Sequence, residues 1–311
     1  MSARKTTNSS RPPAKLENEL VREILQQCTK NEIPPAIGLL KLTFACGNTE
    51  ELDAVINKMT EGGSHGNSLA KKKIRALYAE NRAACERIMS MPPSEPLPEP
   101  ATAEARIFWL RKSFDRWVEE DSSLSVALYT FGNPDLVQLA TREIIDVLDD
   151  WQLLGPEGVA LQIGCGTGRV EALLGPKIRL AWGIDISPKM IASARKSVAG
   201  MDNVHFSECS GRDLSLFEAN SFDLVYGVDS FPYIVEGGTE LIQSYFAEIA
   251  RVLRPKGHLV IFHYSYRDDI SRDCRDLRRL AKQYGFTVLR EGVRPFTVWD
   301  GAVYQLRRDQ D

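Results

Sequence analysis

Three glycines follow an apolar run in VALQIGCGTGR (Val159–Arg169): Gly164, Gly166 and Gly168. Glycine accepts positive φ and lets a ligand approach the backbone, and a helix starting just beyond such a turn offers unpaired N–H groups and the positive end of its dipole. Alone, this pattern suits a nucleotide-like ligand or a tight turn that binds nothing. The next apolar run, RLAWGID, ends at Asp185, about 20 residues beyond the first glycine, the spacing at which a carboxylate reaches ribose hydroxyls. Glycine turn and acid together point to an adenosine-bearing ligand.

A second set of reactive side chains follows two later apolar runs. Asp229, Phe231 and Tyr233 stand in DSFPY after FDLVYGV, and His263, Tyr264, Tyr266 and Arg267 stand in HYSYRD after HLVIF. Histidine as a residue type changes charge near neutrality, so His263 is the candidate general base, with Asp229 and Tyr264 as catalytic companions, or else a satisfied histidine at a strand end. Phe231, Tyr233, Tyr266 and Arg267 are candidates for holding an acceptor. Arg267 could clamp an anion or pair with Asp268 or Asp269. Trp299 and Phe296, in RPFTVWDG, line that pocket or pack a closing hairpin. His65, His205 and His258 read as structural, and the basic runs Lys71–Lys73 and Arg275–Arg279 as solvated faces.

These residues need strands ending at one edge of a sheet. From Gly158 onward, short β-branched and aromatic runs (VALQI, RLAWGID, NVHFS, FDLVYGV, HLVIFHY, FTVLRE, AVYQLRR) alternate with helical segments, which predicts parallel βαβ units. Upstream, residues 16–90 predict a helical domain. LENELVREILQQC places Leu16, Leu20, Ile24 and Leu25 on one face, GNTEELDAVINKM carries a cap at Asn48 or Thr49, and EGGSHGNS (61–68) interrupts the pattern. MPPSEPLPEP (91–100) cannot hold a helix and predicts a linker, and 101–157 predicts a helical lid or connector before a domain at 158–311. The polar residues 1–15 read as a disordered tail.

VALQIGCGTGR, WGIDISPKMIASAR, SFDLVYGVDSF and ARVLRPKGHLVIF, in that order, resemble the class I S-adenosylmethionine-dependent methyltransferases over roughly residues 125–308. The resemblance implies an α/β Rossmann-like fold: a seven-stranded, mostly parallel sheet with an antiparallel last strand, here preceded by an α-helical cap. It implies S-adenosylmethionine as cofactor, S-adenosylhomocysteine as product, and no metal. Gly164, Cys165, Gly166 and Gly168 then line the methionine and ribose part, and Asp185 holds the ribose. Ile186 and Met190 pack on the adenine, Ser210, Gly211 and Arg212 edge it, and Asp229 lies beside the transferred methyl group. Tyr129 and Phe131, in ALYTFGNP, fall where such enzymes place a lid.

The chain departs from the family at two cofactor positions. Gln162 replaces the Glu or Asp that helps hold the cofactor's ammonium group, and Ser210 replaces the Asp that meets the adenine amine. Glutamine keeps an acceptor oxygen without the charge, so Gln162→Glu is expected to tighten cofactor binding or leave it unchanged. DSFPY also interrupts the Asp/Asn-Pro-Pro-aromatic motif of methyltransferases that act on nucleobase amines or glutamine amides.

The expected activity is methyl transfer to a nitrogen or oxygen of a small-molecule acceptor, in specialised metabolism. The rival readings are a methyltransferase acting on RNA or protein, and a non-catalytic S-adenosylmethionine-binding assembly subunit. Lys plus Arg total 39 against 42 Asp plus Glu, a formal charge of −3, which gives no electrostatic reason for a nucleic-acid or anionic-membrane partner. No apolar run approaches the roughly 20 residues of a membrane span, and the six scattered cysteines lack zinc spacing, so reduced thiols in a cytoplasmic protein are expected. The N-terminal helices must bury their apolar faces. A homodimer through them, a cap on the acceptor site and a docking module for a partner protein are the alternatives they offer.

Overall fold

The computed structural model describes residues 14–59, 69–91, 102–122 and 124–309. The expected tail up to residue 13, the break at 61–68 with His65, and the Pro-rich linker beyond Met91 lie outside the described residues.

The chain forms two compact units, and they divide it differently from the sequence boundaries. The first holds the N-terminal helices together with Leu128–Asn133 and Thr297–Asp300; the second holds the sheet together with residues 102–122, 124–127 and 134–157. In the first, α1 (Ala14–Thr29), α2 (Pro35–Ala45) and α3 (Thr49–Lys58) pack against α4 (Leu69–Ser90). Pro35 at the first turn costs α2 no hydrogen bond, and its apolar residues Ile37, Leu39 and Leu42 are buried. The cap of α3 is Asn48, whose side chain accepts the Glu51 N–H at 2.8 Å while Glu51 accepts that of Gly47 at 2.8 Å. Among the described side chains of α1, Ile24 and Cys28 are buried; Leu20, expected on the same face, is 42% exposed.

The second unit is built on a seven-stranded sheet of order β3-β2-β1-β4-β5-β7-β6. Its strands are β1 (Val159–Ile163), β2 (Leu180–Asp185), β3 (Val204–Glu208), β4 (Phe222–Val228), β5 (Leu253–Phe262), β6 (Phe286–Val293) and β7 (Val303–Arg308). β1 to β5 pair in parallel, and β7 runs antiparallel between β5 and β6. The chain therefore winds outward from β1 to β3 in one direction and from β4 to β5 in the other. Right-handed crossovers then place α7 (Arg169–Leu174) and α8 (Pro188–Ser197) on one face and α10 (Thr239–Val252) on the opposite one, and α11 (Ile270–Tyr284) crosses from β5 to β6. β1 is buried at every residue, as a strand covered on both faces must be. Phe246, Ile249, Val252, Leu277 and Leu280 fill the core with Val225, Leu259 and Ile261. Two helices precede the sheet, α5 (Ala103–Asp121) and α6 (Pro134–Asp150), and the short α9 (Phe231–Glu236) follows β4. Among the described residues, no helix is long and apolar enough to cross a membrane.

Candidate active site

β1 and β4 are neighbours from which the chain departs in opposite directions, so the crevice at their C-terminal ends is where an open α/β sheet receives a ligand. The glycine turn lies there. Gly164 has φ of 69°, and a Cβ at this position would sit 2.5 Å from Cβ of Ser230 at the end of β4. Ser230 is fixed by donating to the Ile163 carbonyl at 2.7 Å, so the turn and the β4 exit are fitted to each other. Cys165 is buried and packs toward Gly183 of β2, so it offers a ligand only its backbone. Gly168 opens α7 from the left-handed region.

Asp185 stands on the expected ribose side. Its Oδ2 accepts the Gly166 N–H at 3.0 Å and its Oδ1 accepts the Ser187 N–H at 2.9 Å. Burial pushes its carboxyl above the usual range, against the lowering effect of these backbone donors. A carboxylate has about four acceptor directions, and the Gly166, Ser187 and Ile186 N–H groups take three of them, so one is left for a ligand hydroxyl. By this measure the residues present fit the ribose of S-adenosylmethionine.

On the expected adenine side lie Ile186, Gly211 and a helix from the stretch that the sequence predicts as a lid or connector. Gly211, at φ of 74°, has Ile186 on one side and Ile107 of α5 on the other, 2.8 Å and 3.0 Å from where its Cβ would lie. Met190 is buried on α8, beneath the Ser187 cap that accepts its N–H at 3.0 Å. Ser210 is exposed and accepts the Arg212 N–H at 3.1 Å, while Arg212 reaches Glu104 of α5 at 3.9 Å. Asp115 of α5 accepts from the Ser187 hydroxyl at 2.6 Å, and Lys189 pairs with Glu119, so α5 is tied to the start of α8. No motif marks Asp115 in the sequence. It is one acid on a mixed helix, and only the fold brings it to Ser187.

Gln162 points beneath the glycine turn. Its amide lies between the Gly164 carbonyl, 3.4 Å away, and the carboxyl of Glu171 on α7, with the Tyr226 hydroxyl of β4 beside it. Glu171 and Tyr226 are fully buried. Burial raises the Glu171 carboxyl to about 8, with Arg169 and Tyr226 opposing the shift. Glu171 was invisible in the sequence because a Glu in the first turn of a helix ordinarily serves the dipole from the solvent side.

Asp229 and His263 end adjacent strands, and both adopt positive φ, 55° and 72°. Left-handed backbone at two non-glycine strand ends is uncommon and collects at functional sites. It turns the two side chains together, with His263 Nδ1 3.8 Å from Asp229 Oδ1. His263 Nε2 lies 2.9 Å from the Ser265 carbonyl. A carbonyl only accepts, so Nε2 carries the proton and Nδ1 presents its lone pair to the Asp229 side. Rings extend from this pair: Tyr266 stands edge-on to His263 at 5.1 Å and to Tyr233 at 5.6 Å, and Phe114 of α5 stands edge-on to Tyr233 at 5.4 Å and Trp117 at 5.3 Å.

Three expected site residues are elsewhere. Phe231 is fully buried against Gly227 and belongs to the core, because DSFPY starts α9 and turns this ring inward. Tyr264 is buried in the core beside Tyr304, one residue past His263 and so on the other side of the strand end. Burial raises its phenol further from any role as a base. Arg267 donates to Asp273 at 2.6 Å, Asp276 at 2.7 Å and the Ser265 hydroxyl at 3.0 Å. Its guanidinium ties the post-β5 loop to α11, and its partners are neither Asp268 nor Asp269. Tyr129 and Trp299 belong to the helical unit, where their rings stack in parallel at 6.0 Å. Phe131 is buried in the same unit, and Phe296 lies 6.1 Å from Phe262 in the sheet unit. Among the described residues, no cluster of His, Cys, Asp and Glu could hold a metal ion.

Residues 161–261 match the family model described as a methyltransferase domain. The chain is 28% identical over 171 residues to the 2-methyl-6-phytyl-1,4-hydroquinone methyltransferase of Synechocystis, covering 50% of this chain and 51% of that one. It is 32% identical over 106 residues to the demethylmenaquinone methyltransferase of Tropheryma whipplei, covering 34% and 41%. The match thus spans about half the length of these curated relatives or less. In fold it is similar to the phosphoethanolamine N-methyltransferase 1 of Haemonchus contortus (TM-score 0.54, 16% identity, 68% of this chain and 50% of that one). It is likewise similar to the 4+2 cyclase SpnF (TM-score 0.51, 17% identity, 70% of this chain and 100% of that one). Residues 161–261 are thus a methyltransferase domain, and with its sheet order, glycine turn and strand-end acid the sheet unit has the fold of the class I S-adenosylmethionine-dependent methyltransferases.

Proposed function

We propose that the protein transfers a methyl group from S-adenosylmethionine to a nitrogen or oxygen of a small-molecule acceptor, and that the acceptor the geometry serves best is a hydroxyl on a planar ring. The observation that carries this reading is the Asp229–His263 pair beside the glycine turn, bordered by Tyr266, Tyr233 and Phe114. Bound S-adenosylmethionine supplies a methyl group already activated on a sulfonium. Asp185 and the Gly164–Gly168 turn hold it, and α5 covers the Ile186–Gly211 edge. His263 Nδ1 takes the acceptor's proton, and Asp229 stabilises the imidazolium that results, as a carboxylate does for a base in hydrolases. The edge-on rings offer apolar walls that orient a flat acceptor, which makes the remaining work positioning. The hydroquinone and demethylmenaquinone in the relatives' names are rings of this kind.

The fold alone does not fix the reaction, since a 4+2 cyclase shares it. The test has two parts. Calorimetry should detect S-adenosylmethionine and S-adenosylhomocysteine, and transfer of labelled methyl should occur to members of a panel of hydroquinones, phenols and arylamines. Undetectable binding of either cofactor form at millimolar concentration overturns the reading. Binding without turnover on any acceptor favours an assembly subunit.

A further inference from the structure

Buried polar groups tie the loop after β5 to α11. Asp273, buried on α11, accepts from the Ser265 hydroxyl at 2.7 Å and from Arg267 Nη2 at 2.6 Å. Arg267 Nη1 reaches Asp276 at 2.7 Å, and its Nε donates to the same Ser265 hydroxyl at 3.0 Å. The Ser265 side chain, also buried, is therefore held from two sides, by an acid it donates to and a guanidinium it accepts from.

α11 is already packed on the core by Leu277, Leu280 and Ala281, and a buried ion pair gains little beyond its own desolvation cost. The distinct effect of this cluster is on the path of the chain beyond the base. The His263 N–H donates to the Ala302 carbonyl at 2.8 Å, and Ser265 is anchored two residues later. Between these two fixed points the Ser265 carbonyl is directed at His263 Nε2, 2.9 Å away.

That direction decides which nitrogen carries the proton. On the other side of the ring, Asp229 Oδ1 lies 3.8 Å from Nδ1. A carboxylate draws a proton to the nearer nitrogen, since a charge-assisted bond is roughly twice as strong as a neutral one. With the proton on Nδ1, the lone pair of Nε2 would lie against the Ser265 carbonyl and no base would face the acceptor. A carbonyl held at Nε2 opposes that tautomer, because two acceptors cannot meet without a hydrogen between them.

We propose that Asp273 is a positioning residue for the base: with Arg267 as its counter-ion, it acts through Ser265 to hold His263 in the tautomer protonated on Nε2. The inference rests on the reading of His263 as the base for a ring hydroxyl.

The test is a nitrogen–proton correlation spectrum of the imidazole rings at a pH that keeps them neutral, which reads the tautomer directly. The chain has four histidines, and the signal missing from His263→Asn identifies the one in question. Wild type should show His263 protonated on Nε2. In Asp273→Ala, and in Ser265→Ala, which removes only a hydroxyl, the Nδ1-protonated form should appear. Single-turnover methyl transfer to a hydroquinone should fall about tenfold in both, while transfer to an arylamine and the affinity for S-adenosylhomocysteine stay within about twofold. Asp273→Asn keeps an acceptor for the Ser265 hydroxyl and should restore the tautomer, with a rate within about threefold of wild type. Protonation of Nδ1 in wild type overturns the inference, and so does an unchanged tautomer in Ser265→Ala and Asp273→Ala. Equal loss on both acceptors also overturns it, since that is what a merely structural role would give. A tautomer change in the variants, with no methyl transfer by wild type to any acceptor, leaves the inference about His263 standing and overturns the function proposed above.

Discussion

Asp185 accepts the Gly166 N–H at 3.0 Å, so the acid that ends β2 shapes the turn that follows β1 before it holds any ligand. Its second oxygen holds Ser187, the residue that caps α8. Asp185→Ala therefore removes the ribose acceptor and leaves two backbone donors unsatisfied in a buried place. The expected outcome is loss of S-adenosylhomocysteine binding together with about 2–5 kcal/mol of stability. Asp185→Asn, which keeps an acceptor oxygen, should recover most of the stability and little of the affinity. Calorimetry and denaturant unfolding of both variants check this. If Asp185→Ala folds as stably as wild type, the carboxylate does not organise the turn.

Gly164 and Ser230 are fitted to one another at the switch point. Gly164→Ala meets Ser230 Cβ at 2.5 Å and also places a side chain at φ of 69°. The backbone term alone costs about 1–2 kcal/mol. Ser230→Gly removes the contact but also the bond to Ile163, and should cost about 1 kcal/mol by itself. The double variant should be more stable than the sum of the single losses predicts. Additive losses in a double-mutant cycle of unfolding energies would show that the steric contact is not shared.

Most of the cofactor side was legible in the sequence because it is local. The glycine turn, the Ser187 cap and the strand-end acids follow from residue type and short-range spacing, and the strand order follows from the order of the motifs. What was hidden depends on which way a side chain faces. His263 and Tyr264 are neighbours with similar chemistry, yet one meets Asp229 and the other enters the core. Arg267 had acids next to it and instead took Asp273 and Asp276 from the next helix, where the loop geometry lets both terminal nitrogens bind at once. Phe114, Asp115 and Glu171 carry no motif. Their places are fixed by the packing of α5 and α7, which periodicity does not specify.

Glu171 makes the stability of the fold depend on pH in a stated direction. Its carboxyl titrates near 8 in the folded protein, against 4.5 for a free side chain. Between these values the folded state holds a proton that the unfolded state has lost, so this group's contribution to stability is full below about 4.5, shrinks as pH rises and is gone above about 8. Within that window the slope approaches about 1.4 kcal/mol per pH unit for one proton. The stability of wild type relative to Glu171→Gln, measured by denaturant unfolding from pH 5 to pH 8.5, should fall steadily toward the alkaline end. A difference independent of pH would mean that Glu171 is ionised throughout.

The same cluster reverses the outcome expected for Gln162→Glu. From the sequence, a carboxylate at 162 restores the family's charge and should tighten binding or leave it unchanged. In the structure it would stand at hydrogen-bond distance from Glu171, where the Gln162 amide now lies 2.7 Å from Oε1. Two buried carboxyls so close must share a proton, and one of them titrates far above its ordinary range. Gln162→Glu is therefore expected to lower the melting temperature by several degrees, more at pH 8 than at pH 6. The exchanged pair Gln162→Glu with Glu171→Gln should restore stability to near wild type and recover binding of S-adenosylhomocysteine.

His263 and Asp229 give the prediction that separates oxygen from nitrogen acceptors. A hydroxyl must lose its proton for transfer, whereas a neutral amine needs only desolvation and alignment. For a ring hydroxyl, His263→Asn should lower kcat by about 10²–10⁴ and leave the affinity for S-adenosylhomocysteine within about twofold, because His263 lies across the crevice from the ribose acid. Asp229→Asn should lower kcat less, since the base remains and only its charge partner is lost. The check is single-turnover methyl transfer to a hydroquinone and to an arylamine of similar shape. Equal loss on both acceptors would assign His263 to alignment of the acceptor rather than to removal of its proton.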